Sequence, residues 1–231
     1  MSGMTKLVVV RHGNTFNSGD VILRVGSATD IPLTETGMRQ GVAVGRELKR
    51  RGLTVDRLFF APLMRTRQSA EGIAASFPQV PSEAADFLTE LDYGSDDGRP
   101  ENEVVLRLGA IALRRQLSPE TTIDELQAAG KAALKKWDAE AVLPEGWEFL
   151  SDRVAKLSDD WRRFAAMVAS EYAGKCVVAV TSNGIARFSK ALLPDGAALS
   201  GSLKLATGAF GVYEYDGKVW RSADWNVRPE L

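Results

Sequence analysis

The sequence predicts an α/β fold: a three-layer sandwich with a mainly parallel central sheet flanked by helices, plus a helical cap insertion. Two short apolar runs, Lys6–Val10 and Cys176–Thr181, carry the β-branched, unbroken pattern of strands buried on both faces of a parallel sheet. Each run ends in a polar, glycine-containing turn, Arg11-His12-Gly13-Asn14-Thr15 and Thr181-Ser182-Asn183-Gly184. Helical periodicities alternate with the strand signals, the order expected of parallel crossovers.

In chain order, Thr34 can N-cap a helix over Glu35–Arg51, closed by Gly52. Arg57–Phe60 reads as a second strand. Pro62 suits the first turn of a helix running to about Ser76, with Ala70, Ile73, Ala74 and Phe77 on its inner face. Glu101 to Pro144 is helical but irregular, broken at Ser118-Pro119 and Gly130, and reads as an inserted cap. The clearest helix follows, where Leu150, Val154, Leu157, Trp161, Phe164 and Val168 recur at spacings of four and three. Such a stripe is core packing. A further helix starts near Ile185, and Phe210–Tyr215 and Val219–Ala223, joined at Asp216-Gly217, form a terminal hairpin. The organisation expected is one domain over 1–231 with the cap at about 99–150.

Composition narrows the function. With 231 residues, 45% hydrophobic and 26% charged, the chain is ordinary for a globular protein. A formal net charge of −1 provides no basic field for nucleic acid or an anionic membrane. An anionic substrate must therefore be drawn in by local arginines. One cysteine, Cys176, lies in an apolar run and reads as a buried reduced thiol, which fits a cytoplasmic location. The run Leu7–Val10, stopped by Arg11, is too short for a signal peptide, and no stretch approaches a membrane span. One histidine and one cysteine leave little for a transition-metal site, so no metal and no cofactor are expected. There is no Gly-x-Ser-x-Gly elbow, no P-loop and no Gly-x-Gly-x-x-Gly turn.

In open α/β sheets ligands sit beyond the carboxyl ends of the strands, which nominates the two polar turns. His12 stands beside Arg11, and a neighbouring cation favours the neutral imidazole that a nucleophile must be. Gly13 would let backbone approach a ligand, and Asn14, Thr15 and Asn17 supply neutral donors.

These residues resemble the histidine phosphatase superfamily, which includes the cofactor-dependent phosphoglycerate mutases. Arg11-His12-Gly13-Asn14-Thr15 matches its Arg-His-Gly-x-Thr signature, with Asn17 where the family keeps an asparagine. Pro32-Leu33-Thr34-Glu35-Thr36-Gly37 with Gln40, then Pro62 to Ala70, then Leu88-Thr89-Glu90-Leu91-Asp92-Tyr93-Gly94 match further segments in the family's order. The resemblance implies that His12 attacks phosphorus through one ring nitrogen while a backbone carbonyl holds the other. It implies that Arg11 and Arg65 grip the phosphate, that Asn17 adds a hydrogen bond, and that Glu90 protonates the leaving oxygen and then activates water. Arg24 and Gly26 fall in a loop that lines the substrate pocket in relatives.

One departure stands out. The family carries a second histidine in a Ser/Thr-His-Gly turn, and here the matching turn is Ser182-Asn183-Gly184. Asn183 can still donate a hydrogen bond to a phosphoryl oxygen, but it carries no charge. The expected site is thus catalytic His12, Glu90, Arg11, Arg65 and Asn183, with Asn17, Thr15, Arg24, Gly26 and Gly184 contacting substrate. The leading expectation is a phosphomonoesterase acting on a small phosphorylated metabolite such as a sugar phosphate, through a phosphohistidine. The alternatives are a phosphoglycerate mutase-type transferase, or a weakly active or inactive phosphoester-binding relative, including a chain altered from histidine at 183. The partner expected is a small phosphorylated substrate, and a homodimer is one assembly compatible with the sequence. The charges of the cap, Arg107, Arg114, Arg115, Lys131, Lys135 and Lys136, suit a solvated helix face or a specificity surface.

Overall fold

At the centre of the molecule β1 (Thr5–Arg11) runs parallel to β4 (Cys176–Thr181), with Lys6 opposite Cys176 and Arg11 opposite Thr181. The computed structural model describes residues 3–231; positions 1 and 2 of the expected domain lie outside it. β2 (Val55–Phe60) pairs with β4 in parallel, and β3 (Ser82–Ala84) adds a parallel edge beside β2. On the other side, β5 (Phe210–Tyr215) is antiparallel to β1, and β6 (Trp220–Val227) is antiparallel to β5. The order of this six-stranded sheet is β3-β2-β4-β1-β5-β6.

Strand pleating explains the three layers. Val8, Val10, Val178 and Val180 face one side, where Val44, Leu48 and Ile73 of α1 (Glu35–Arg50) and α2 (Met64–Ala74) cover them. Leu7, Val9, Val177 and Ala179 face the other, against Trp161, Phe164 and Val168 of α5 (Ser151–Glu171). Burying each large side chain of that α5 stripe contributes about 1.5–3 kcal/mol. The predicted core face of α5 is therefore present, although Leu150 belongs to the short 3-10 turn before it and Val154 is only partly buried.

Several local expectations need correction. α2 begins at Met64, not Pro62, because its first free N–H is capped from a distant loop: Asp30 Oδ1 accepts from Met64 N at 2.7 Å. β3 is short and all three of its residues are exposed, so no apolar pattern marked it. The helix expected from Ile185 begins at Asn183 as the single turn α6 (Asn183–Ala186). β6 continues to Val227, beyond the expected Ala223. Thr34 caps α1 as predicted, accepting from Gly37 N at 3.1 Å.

α3 (Glu101–Leu113) and α4 (Ile123–Glu140) pack as a hairpin on two glycines. A Cβ at Gly130 would meet the Val105 carbonyl at 1.9 Å, and one at Gly109 would meet the Leu126 carbonyl at 1.8 Å. The helices thus touch through backbone, which fixes how α4 is rotated about its axis. Gly130→Ala is expected to force them apart and lower stability by about 1–3 kcal/mol, read as a fall in Tm. An unchanged Tm would show that the hairpin yields easily.

Candidate active site

The carboxyl ends of β2, β4 and β1 lie next to one another, and each releases a candidate residue at the same edge. His12 N donates to the Thr181 carbonyl at 3.0 Å and Ala61 N to the Val180 carbonyl at 3.1 Å, so the ladder continues into the turns. Because β5 is antiparallel, the loop that precedes it arrives at this same edge. Arg11 N donates to the Ala209 carbonyl and Gly208 N to the His12 carbonyl, each at 3.0 Å. A cavity of about 910 Å³ opens there, lined among others by Arg11, His12, Thr15, Arg24, Glu90 and Asn183.

His12 is buried, and its Nδ1 lies 2.8 Å from the Gly13 carbonyl. A carbonyl only accepts, so Nδ1 carries the proton and Nε2 keeps its lone pair. Burial, then the charges of Arg65 and Arg11, hold its pKa well below 6.5, against a smaller upward pull from the Gly13 bond. The imidazole is therefore neutral, as a nucleophile requires.

Arg11 donates through Nη1 to the Leu205 carbonyl at 2.7 Å. The N–H of Leu205 donates to Asn183 Oδ1 at 3.0 Å. That bond fixes the orientation of the Asn183 amide and leaves its NH2 as the group able to donate elsewhere. Glu90 accepts from Leu91 N at 2.9 Å on one oxygen and from Gly184 N at 3.0 Å on the other. Gly184 borders the cavity, but its N–H is committed to that carboxylate. Arg24 stacks its guanidinium 5.2 Å from the Tyr93 ring centre and 5.1 Å from that of Trp147, and pairs with Glu101.

Three predicted site residues do not line the cavity. Arg65 is fully buried (0% exposed) and donates to the Thr29 and Gly26 carbonyls, both at 2.9 Å. Its influence on His12 is electrostatic, and its Nε has no protein partner. Gly26 holds Arg65 through its carbonyl. Asp97 in turn holds that loop, accepting from Gly26 N at 3.0 Å, Ala28 N at 3.0 Å and Thr29 Oγ1 at 2.5 Å. Asn17 is exposed, its N–H bound to Asp20 Oδ2 at 2.7 Å.

Other motif residues prove to be splints for the His12 turn. Ser69 Oγ accepts from Gly13 N at 3.0 Å and donates to the Arg65 carbonyl at 2.9 Å. Gln40 Oε1 accepts from Asn14 N at 2.7 Å. Gly13 serves packing rather than ligand approach, since a Cβ there would lie 2.2 Å from the Gly37 carbonyl of α1.

Sequence reasoning missed Arg187, which is 2% exposed and borders the cavity. It donates to the Asn183 carbonyl at 3.1 Å and to Asp138 Oδ1 at 3.2 Å, bonds the Trp137 carbonyl, and stacks 4.1 Å from the Trp137 ring centre. Its spacing of four from Asn183 sets it one helical turn on, but its partners Trp137 and Asp138 are distant in sequence, so no local signal marked it. Among the described residues no group of three or more His, Cys, Asp or Glu is placed to hold a metal ion. Likewise, no helix among them is long and apolar enough to cross a membrane.

His12 is the only histidine, so its titration can be isolated. The unfolded chain binds a proton near pH 6.5 while the folded chain resists it. Stability should therefore fall as pH drops below 6.5, by at most about 1.4 kcal/mol per pH unit. His12→Gln should flatten the stability curve between pH 6.5 and 5 in denaturant unfolding; parallel curves for the two proteins would show an ordinary histidine.

The chain is similar to known proteins in sequence and in fold. Fructose-2,6-bisphosphatase TIGAR from Bos taurus is 35% identical over 133 residues, 54% of this chain and 47% of that protein. The chain spans about half the length of the curated relatives it matches. Among solved structures, a phosphoglycerate mutase from Bacillus anthracis str. Sterne has a similar fold, with a TM-score of 0.68 at 19% identity, covering 97% of this chain and 94% of that one. A mycobacterial glucosyl-3-phosphoglycerate phosphatase gives 0.65 at 21%, covering 96% and 99%. The family match extends over residues 7–139, more than half of the sequence, and the chain belongs to the histidine phosphatase superfamily (branch 1).

Proposed function

We propose that this protein is a phosphomonoesterase that hydrolyses a small phosphorylated metabolite, such as a sugar phosphate, through a phosphohistidine on His12. The observation that carries the reading is the hydrogen bond from His12 Nδ1 to the Gly13 carbonyl, in a site that keeps the ring neutral. It leaves Nε2 as the nucleophile beside Arg11 and Asn183.

In the first step Nε2 bonds to phosphorus as the ester P–O bond breaks, and Glu90 gives a proton to the leaving alcohol oxygen. Each Glu90 oxygen keeps a lone pair beyond its backbone bond, so the carboxyl can hold that proton without losing its place. In the second step Glu90 takes a proton from water as the water oxygen bonds to phosphorus and the P–N bond breaks, releasing phosphate. Arg11, Arg65 and the Asn183 amide oppose the charge that gathers on the phosphoryl oxygens. A wide cavity around the phosphoryl group admits water, which favours hydrolysis over return of the group to a rebound product. The partner is a small phosphoester rather than nucleic acid or membrane, in keeping with the net charge. Burial pushes the Cys176 thiol up to about 12, and an unreactive, unpaired cysteine suits the cytoplasm.

Incubation with a panel of phosphate esters should release inorganic phosphate, and His12→Ala should abolish release. An alkaline quench, which preserves the acid-labile P–N bond, should trap label from a phosphate-labelled ester on His12; rearranged ester with little phosphate would indicate a mutase, and neither product would overturn both readings. Asn183→Ala should lower kcat by about 10²–10³ through loss of one oriented donor. Asn183→His should restore activity to wild type or above, since an imidazole can accept from Leu205 N and still donate. Equal rates for all three would place residue 183 outside the chemistry.

A further inference from the structure

The cavity holds more positive charge than the phosphoryl site uses. Glu90 is the acid whose charge bears most on both Arg11 and Arg65. Arg24 is paired with Glu101, and Arg187 and Lys204 share Asp138. Lys131 and Lys135 also border the cavity, yet neither has an ion-pair partner among the described residues.

Their presence on this wall follows from the packing of α4. Gly130 is held against the Val105 carbonyl of α3, so the helix cannot rotate. The residues it then presents to the cavity are Lys131, Leu134, Lys135, Asp138 and Ala139, which stand at i, i+3, i+4, i+7 and i+8 on a single helical stripe. Lys136 falls off this stripe, while Arg107 pairs with Asp96 and Arg114 with Glu145. The cap cations are thus divided: two face the cavity unpaired and others are engaged elsewhere. Like charges one turn apart repel, and an anion between them would relieve that repulsion. The cavity, at about 910 Å³, has room for a substrate that extends well past its phosphoryl group.

We propose that Lys131 and Lys135 form a second anion subsite on the α4 wall, and that the substrate is a phosphomonoester carrying another anionic group, a carboxylate or a second phosphate, away from the reacting phosphorus. The proposal rests on the phosphatase reading for its chemistry, but the subsite can be measured without turnover.

Matched pairs test it: glycerol 3-phosphate against 3-phosphoglycerate for a carboxylate, and a hexose monophosphate against the hexose bisphosphate for a phosphate. In whichever pair carries the right group, KM for the doubly anionic member should be about tenfold lower. In Lys131→Gln/Lys135→Gln that KM should rise about tenfold with kcat nearly constant, and the singly anionic member should be unaffected. The advantage should also shrink in high salt. Equal KM values within both pairs, or a double variant that weakens both members alike, would overturn the subsite. Calorimetric binding of the same compounds to His12→Ala separates the two claims. Preference for the doubly anionic ester without hydrolysis by the wild type would uphold the subsite and overturn the phosphatase reading; hydrolysis without preference would do the reverse.

Discussion

The parallel pairing of β1 with β4, which sets Arg11 opposite Thr181, is the constraint on which the site rests. It brings the two polar turns out of the sheet side by side, and the ladder bond from His12 N to Thr181 ties them together. A slip of one residue would turn every core valine of β1 to the opposite layer, so burial on both faces enforces the register. The antiparallel placement of β5 is the second half of this constraint. It delivers Leu205 to the same edge, where one peptide group receives Arg11 and supplies the donor for Asn183.

Electrostatically, the site concentrates cations in a chain whose net charge is close to zero. Desolvation would make buried guanidiniums costly without partners. Arg65 is met by two backbone carbonyls and faces Glu90, Asp30 and Asp97; Arg187 is met by two carbonyls, Asp138 and the face of Trp137. The burial of His12 and the charges of Arg65 and Arg11 act in the same direction, keeping the ring unprotonated. His12, the proposed nucleophile, is therefore held neutral by its surroundings before any substrate arrives. Asn183 keeps a donor at the site without adding another charge to an already crowded set.

Many residues of the family motifs do no chemistry. Ser69, Gln40 and Thr34 hold the backbone of the His12 turn, and Asp97 holds the loop that holds Arg65. Gly13 and Gly37 let that turn lie against the first turn of α1. A phosphoryl site needs its donors fixed within a fraction of an ångström, and these splints provide the stiffness.

How much was legible differs by residue. β1, β4, the α5 stripe, the Thr34 cap and the Asp216-Gly217 turn follow from neighbours in sequence, so their periodicity and turn chemistry sufficed. The His12 and Asn183 turns were legible for the same reason, since each ends a doubly buried strand. Tertiary structure alone decided the start of α2, capped by Asp30; the withdrawal of Arg65 and Gly26 behind the cavity wall; the part of Arg187; and the face that α4 turns inward. Each of these depends on contacts between residues far apart in the chain, and a local pattern carries no record of which distant group will stand opposite.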